Sequence, residues 1–155
     1  MEYVYLMCLL VAIGMMVWLK LYDVRNSVSQ YLSLTTISIS CFGYYFLAIS
    51  RTLEEALFAQ IIAYVGGVFL PIFYFFIVLE ICHLEIKKVV KVCLVLCQCC
   101  VYGFVCTIGR SELFYKRVEM YRTNGIVVLE KSYGPFHVLS IGTMYLYLLC
   151  SFVAV

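Results

Sequence analysis

The stretch "YVGGVFLPIFYFFIVLEIC", residues 64–82, contains one charged side chain, Glu80, near its end. It is the second part of an apolar run from Leu57 to Cys82. A helix needs about 20 mostly apolar residues to cross the hydrocarbon core of a bilayer. The run therefore predicts a membrane-spanning helix.

Four more apolar stretches flank this one along the chain. They are residues 3–22, 31–50, 89–108 and 136–155. The second is interrupted by "SLTTISIS", whose hydroxyl groups can bond to carbonyls of their own helix or of a neighbour. We therefore predict an all-α integral membrane helix bundle with about five transmembrane helices.

The composition favours a single membrane domain over residues 1–155. Hydrophobic residues make up 65% of the chain and charged residues 13%, and the mean hydropathy is +1.02. A soluble domain of this size does not need so apolar a composition. The formal net charge of +2 is small and scattered, which argues against a nucleic-acid partner. The bilayer is the expected partner.

The longest polar segment, "VEMYRTNGIVVLEKSYGPFH" at residues 118–137, predicts a small β-hairpin between the fourth and fifth spans. Asn124-Gly125 is a strong signal for a two-residue turn, because both positions need positive φ. This turn predicts a hairpin over about residues 113–134 and sets three cross-strand pairs: Tyr121 with Val128, Met120 with Leu129, and Glu119 with Glu130. An isolated hairpin is marginally stable, so we expect it to rest on the membrane or on the helix ends, as a lid.

The basic residues favour an N-terminus outside the cytoplasm in an inner (cytoplasmic) membrane. The loops after the first and third spans would then be cytoplasmic; they carry Lys20, Arg25, Lys87, Lys88 and Lys91, whereas the loop after the second carries Arg51. The connection from Gly109 to Pro135 argues the other way, because it contains five bases. Acidic residues are interleaved with these bases, and we predict an extracytoplasmic hairpin.

Two groups of residues are candidates for a ligand pocket or for signal coupling. In the third span, Gly66 and Gly67 permit close backbone approach, and Pro71 removes a helix hydrogen bond. Helix packing alone accounts for these three residues; the sharper hypothesis is a widened pocket lined by Tyr64, Phe69, Phe73 and Tyr74. The second group lies in the hairpin and at the start of the fifth span: Asn124, Gly125, Tyr133, Gly134, Pro135 and His137.

Pro135 suits the first turn of the fifth helix. We expect the His137 side chain to be solvated or to cap that helix, with sensing of a ligand or proton as the alternative.

No catalytic motif is present in the sequence, so neither an enzyme activity nor a cofactor or metal is expected. Cys97 and Cys100 form a CxxC spacing that would suit a membrane thiol oxidoreductase. However, the nine cysteines lie in or at the ends of apolar runs, and we interpret them as small apolar packing residues in helices. Cys93, Cys97 and Cys100 share one helical face near mid-span, where we expect buried and inert thiols. Glu80 is expected near the cytoplasmic interface, where it could reach water or pair with Lys87 or Lys88. A transporter-like protein is the other alternative, but no midplane charge supports it.

The order of these elements resembles the N-terminal seven-transmembrane region of bacterial sensor histidine kinases, which also precedes diguanylate cyclase and other output domains. The resemblance rests on "YVGGVFLPIFYFFIVLEIC", the basic loop, "LFYK" and the hairpin. It implies a sensory input module that responds to a small-molecule or membrane-borne stimulus, and it makes a homodimer possible. The chain ends in its fifth span, two short of seven. We therefore expect a truncated copy or the front part of a longer protein.

Overall fold

The computed structural model describes residues 2–21, 27–123 and 126–155. Its elements in chain order are α1 (Glu2–Leu21), α2 (Val28–Ile49), α3 (Leu53–Ile81), α4 (Lys88–Val105), β1 (Tyr115–Thr123), β2 (Ile126–Tyr133) and α5 (Pro135–Ala154). All five helices are long and apolar enough to cross a membrane. The predicted helical membrane protein with a hairpin between the fourth and fifth spans is confirmed.

Local capping explains where α2 and α3 begin. Thr52 and Glu55 form a capping box, which starts α3 four residues before the predicted span. Ser27 and Gln30 do the same for α2. Helix α4 ends at Val105, three residues before the predicted end of this span at residue 108. The chain then turns through Gly109, which has a φ of 78°.

The α2–α3 pair packs closely through small residues. A Cβ added to Gly43 would lie 2.7 Å from the Cα of Ala63, and one added to Gly66 would lie 2.7 Å from the Cβ of Ser40. The Ser40 hydroxyl donates to the carbonyl of Ala63 at 2.8 Å. Small residues at both faces allow this approach, which is a common device in membrane helix pairs.

Most of the other hydroxyl groups in this polar stretch of α2 bond within their own helix. Ser33 Oγ donates to the carbonyl of Ser29 at 2.9 Å, and Ser38 Oγ donates to the carbonyl of Leu34 at the same distance. The polar "SLTTISIS" stretch is thereby satisfied without water, as expected for a span.

Helix α3 lies at the centre and packs against α2, α4 and α5. One core cluster, which includes Val68, Val105 and Phe114, joins α3 and α4 to the segment that leads into the hairpin. A second, which includes Ile72, Phe76 and Tyr147, joins α3 to α5. Helix α1 packs mainly against α2 and leaves most of its apolar surface exposed. Such exposed apolar surface suits contact with lipid.

The hairpin has the predicted register, with Tyr121 opposite Val128, Met120 opposite Leu129, and Glu119 opposite Glu130. Asn124 and Gly125, the predicted turn, lie outside the described residues. The register shifts between Tyr115 and Arg117, at the base of the hairpin. The hairpin contacts α2 and α3, and we call this the hairpin end of the bundle.

The prediction that the cysteines pack inside the bundle is wrong. All nine are free; Cys41, Cys82 and Cys150 are half-buried and the other six are exposed. The reason is visible in α4, which buries only a narrow stripe of Gln98, Val101 and Val105. Its cysteines lie on the remaining surface, where lipid would surround them.

Candidate functional site

Five aromatic side chains meet where the base of the hairpin joins α3 and α5. We call them the hairpin-base cluster: Tyr64, Phe114, Tyr115, Tyr133 and His137. Two backbone hydrogen bonds close this junction, from Gly134 N to the carbonyl of Phe114 at 2.8 Å and from Phe136 N to the carbonyl of Leu113 at 3.1 Å. A Cβ on Gly134 would collide with the carbonyls of Glu112 and Leu113, so glycine is required there.

A chain of polar contacts runs through the cluster. The hydroxyls of Tyr64 and Tyr115 are 2.6 Å apart, and the Tyr64 hydroxyl is 3.5 Å from Nε2 of His137. The ring of Tyr133 stacks on His137 with centroids 3.9 Å apart, and Phe114 meets the same ring edge-on at 5.2 Å. Elements distant in sequence are thus joined by one contact network.

His137 is only 9% exposed. The expectation of a solvated or capping side chain is therefore wrong, because three aromatic rings cover the imidazole. Gly134 does precede α5 as its N-cap, and Pro135 is in the first turn, as predicted.

A half-buried ammonium group lies at the edge of the cluster. Lys131 Nζ donates to Gln60 Oε1 at 2.9 Å and lies 5.6 Å from the centre of the Tyr115 ring. Burial lowers the pKa of Lys131. The pKa of Tyr115 is raised well above its ordinary value, mainly by burial and to a lesser extent by the neighbouring Tyr64. This phenol therefore stays protonated.

A second feature is an apolar cavity of about 420 Å³ beside the middle of α3. Gly66, Gly67 and Pro71 line it, and the binding of a ligand there stays a prediction. Leu70 of α3 also lines the cavity. The other lining residues belong to α1, α2 and α5: Tyr5, Cys8, Ile37, Ser40, Cys41, Tyr44 and Met144.

The predicted aromatic lining of this pocket lies elsewhere. Phe69 and Phe73 stack on each other with centroids 6.3 Å apart, and Phe69 also contacts Tyr102 of α4. Tyr74 is 49% exposed on the surface of the bundle. Tyr64 belongs to the hairpin-base cluster. The structure therefore brings together the glycines and the proline, but it does not gather the four aromatic residues around them.

Tyr64 connects the apolar cavity to the hairpin-base cluster. A Cβ added to Gly67 would lie 3.7 Å from Cδ1 of Tyr64, which is ordinary van der Waals contact. The hydroxyl of the same tyrosine bonds to Tyr115 of β1. One side chain of α3 is thus adjacent to both features.

Glu80 lies at the opposite end of the bundle. Its carboxylate accepts a hydrogen bond from Ser29 Oγ at 2.9 Å and lies 3.7 Å from Lys91 Nζ. Glu80 therefore pairs with Lys91 and not with Lys87 or Lys88, whose pairing with it was one of the two expected alternatives. Lys91 lies in the first turn of α4 and faces α3, where its ammonium group is also 5.5 Å from the ring of Phe76. Lys87 and Lys88 remain exposed.

Sequence reasoning missed the two buried glutamines, Gln60 and Gln98. Gln98 is 1% exposed and its Nε2 donates to the carbonyl of Val68 at 2.7 Å. Its Oε1 is buried without a hydrogen-bond partner among the described residues. A glutamine in an apolar span is costly unless it is bonded, and that cost is the signal that could have identified both residues.

Redox and metal chemistry gain no support from the geometry. Cys97 and Cys100 are exposed on α4, so neither is held in an enclosed site. Among the residues that the structure describes, no group of three His, Cys, Asp or Glu side chains could hold a metal ion.

Comparison with known proteins gives one match. A family model described as the N-terminal 7TM region of histidine kinase matches residues 3–155. No curated protein and no solved structure matches the chain.

Proposed function

Because the chain belongs to the family of N-terminal 7TM regions of histidine kinases, we propose that it receives a stimulus at the apolar cavity or the hairpin and transmits it through Tyr64 to α5. The family is a membrane sensory input region. The catalytic output then belongs to another segment or partner, of the histidine kinase or diguanylate cyclase type.

The observation that carries the proposal is the position of Tyr64. Its ring adjoins Gly67 at the apolar cavity, and its hydroxyl lies 2.6 Å from Tyr115 and 3.5 Å from His137. A ligand shifts an equilibrium only by the difference of its affinities for the two states. Displacement of this tyrosine would change its contacts with α3, β1 and α5 together. The states with the tyrosine in place and displaced would therefore differ in their contacts, as a ligand-driven shift requires.

The cavity favours an apolar stimulus of small-molecule size. Its lining is almost entirely apolar, and the hydroxyl of Ser40 is already bonded to Ala63. Binding sites for small molecules are typically apolar cavities of several hundred Å³. A lipophilic compound that partitions into the membrane would meet this cavity between α1, α2, α3 and α5.

We also propose an inner-membrane location with the N-terminus and the hairpin outside the cytoplasm. Five successive crossings put the N-terminus and the hairpin on one side, and the α3–α4 connection with α5's final turn on the other. The lysines near the start of α4 favour the cytoplasm for that second side. A signal received at the hairpin would then reach the cytoplasmic end of α5.

The test is a fusion of residues 1–155 to the dimerisation and catalytic region of a histidine kinase, reconstituted in nanodiscs. Tyr64→Phe removes the bond to Tyr115, and Gly67→Leu fills the cavity. Each should change autophosphorylation about fivefold, as expected for a coupling free energy of about 1 kcal/mol.

Matched controls are Tyr102→Phe and Gly103→Leu. The Tyr102 hydroxyl also bonds between helices, to the carbonyl of Ile61 at 3.1 Å, whereas a Cβ on Gly103 meets nothing within 4 Å. These controls should stay within about twofold of the parent, well inside a coupling effect of that size. If Tyr64→Phe and Gly67→Leu insert normally and behave like the controls, α3 does not couple the cavity to the output.

A further inference from the structure

We propose that the end of the bundle opposite the hairpin binds an anionic phospholipid, with the phosphate in a lysine-lined cavity and one acyl chain along α4. Two adjoining surface features carry this inference. One is a cavity lined in part by three lysines, and the other is an apolar groove. They meet at Lys91.

The headgroup cavity has a volume of about 600 Å³ and lies between the end of α3 and the start of α4. Lys87, Lys88 and Lys91 line it, together with the acidic Glu80 and Glu85. Lys91 pairs with Glu80, which also accepts the bond from Ser29. Lys87 and Lys88 form no ion pair with any described residue, so two ammonium groups remain for an anion.

The acyl groove continues from Lys91 along the outer face of α4. It has a volume of about 220 Å³ and is lined by Lys91, Val92, Val95 and Leu96, with no polar surface. Val92 and Leu96 are 57% and 58% exposed. At a rise of 1.5 Å per residue, the groove extends roughly 8 Å into the span, parallel to the lipid chains.

The pairing of the two features selects a lipid over a free phosphate. Lysines at the end of a span hold their ammonium groups at the membrane surface, where anionic headgroups lie. A soluble phosphate would use only the basic cavity. Only a lipid can place an anion in the cavity and a hydrocarbon chain of the same molecule in the adjoining apolar groove.

The experiment uses phosphatidylglycerol with a diazirine in one acyl chain, added to the full chain in phosphatidylcholine nanodiscs. Photolysis followed by peptide mass spectrometry should place adducts on residues 92–96. Each lysine near the surface contributes about fivefold to the binding of anionic lipid. The double variant Lys87→Gln with Lys88→Gln should therefore raise the lipid concentration at half-maximal labelling roughly 25-fold.

The matched control is Arg110→Gln with Lys116→Gln, which removes two exposed charges near the hairpin and should leave labelling at residues 92–96 unchanged. Val92→Trp fills the groove without a change of charge and should reduce labelling. Circular dichroism of each variant checks that the helices are retained.

Three results would overturn the proposal. One is equal labelling of residues 92–96 by the phosphatidylcholine analogue. Another is labelling that the paired lysine substitutions leave unchanged. The third is loss of labelling in millimolar inorganic phosphate, which would make the cavity a site for free phosphate instead.

Discussion

Replacing Gly43 by alanine should force α2 away from α3 and destabilise the bundle. The new methyl group would lie 2.7 Å from the Cα of Ala63 and 2.9 Å from the carbonyl carbon of Ile62. Both are backbone atoms, which cannot rotate away as a side chain can. The backbone nitrogen of Ala63 is closer still, and ordinary contact begins at 3.4 Å, so the helices must separate locally by about 1 Å.

The cost can be worked from this displacement. Overpacking of a close interface typically costs about 1–3 kcal/mol. The same separation stretches the bond from Ser40 to Ala63, which contributes about 0.6 kcal/mol in a typical membrane protein. We therefore expect Gly43→Ala to lower the free energy of unfolding by about 1–3 kcal/mol.

The assay is reversible unfolding in mixed micelles with increasing dodecyl sulfate, followed by circular dichroism at the helix band. Gly14→Ala and Gly142→Ala are matched controls, because a Cβ at either position meets nothing within 4 Å. Both should leave the free energy of unfolding unchanged or slightly raise it, since alanine favours helix. The reasoning fails if Gly43→Ala unfolds like the parent, or if the controls lose as much stability.

Three further substitutions test single contacts by the same unfolding assay. Gln98→Met should change the free energy of unfolding by less than about 1 kcal/mol, because loss of the bond to Val68 is offset by removal of the unpartnered Oε1. A loss of stability above about 3 kcal/mol would show that Oε1 has a partner. Glu80→Gln should also lower the free energy of unfolding by under about 1 kcal/mol, because it keeps the bond to Ser29 and breaks only the ion pair with Lys91, whose two side chains are each 34% exposed. A larger loss would mean that the Glu80 charge matters more to folding than its exposure implies. The stability difference between the parent and Lys131→Met should shift in favour of the parent as the pH rises from the lowered pKa of Lys131 to its ordinary value of 10.5, because the unfolded state binds more protons in that window. A difference independent of pH would contradict the partial burial of this ammonium group.

The spans and the hairpin were predictable because their signals are local. A run of apolar residues long enough for the bilayer identifies a crossing wherever the helix packs. The hairpin register follows from Asn124-Gly125, since a two-residue turn fixes every pair beyond it, including the unfavourable Glu119 and Glu130. Capping boxes at Ser27 and Thr52 could have corrected the helix starts, because they too are local.

The buried faces were not predictable in the same way. A soluble helix marks its buried face by apolar periodicity, whereas α3 and α4 are apolar on nearly every side. The sequence therefore gives no sign that the cysteines of α4 are exposed, or that Tyr74 faces outward while Phe73 packs inside. The burial of His137 depends on Tyr64, which is 73 residues away in the chain. Such a contact is set by how the helices assemble.

The hairpin base joins two parts of the chain that would move together. Backbone bonds from Gly134 to Phe114 and from Phe136 to Leu113 tie the start of β1 to the first turn of α5, and His137 packs in the same turn. A shift of β1 therefore carries the start of α5 with it. Helix α5 has 20 residues, so it extends about 30 Å from this junction to the other side of the bilayer. Because a helix of that length would move nearly as a rigid body, the proposed change in the bond between Tyr64 and Tyr115 would have a direct mechanical route across the membrane, and this route would need no charged or catalytic group.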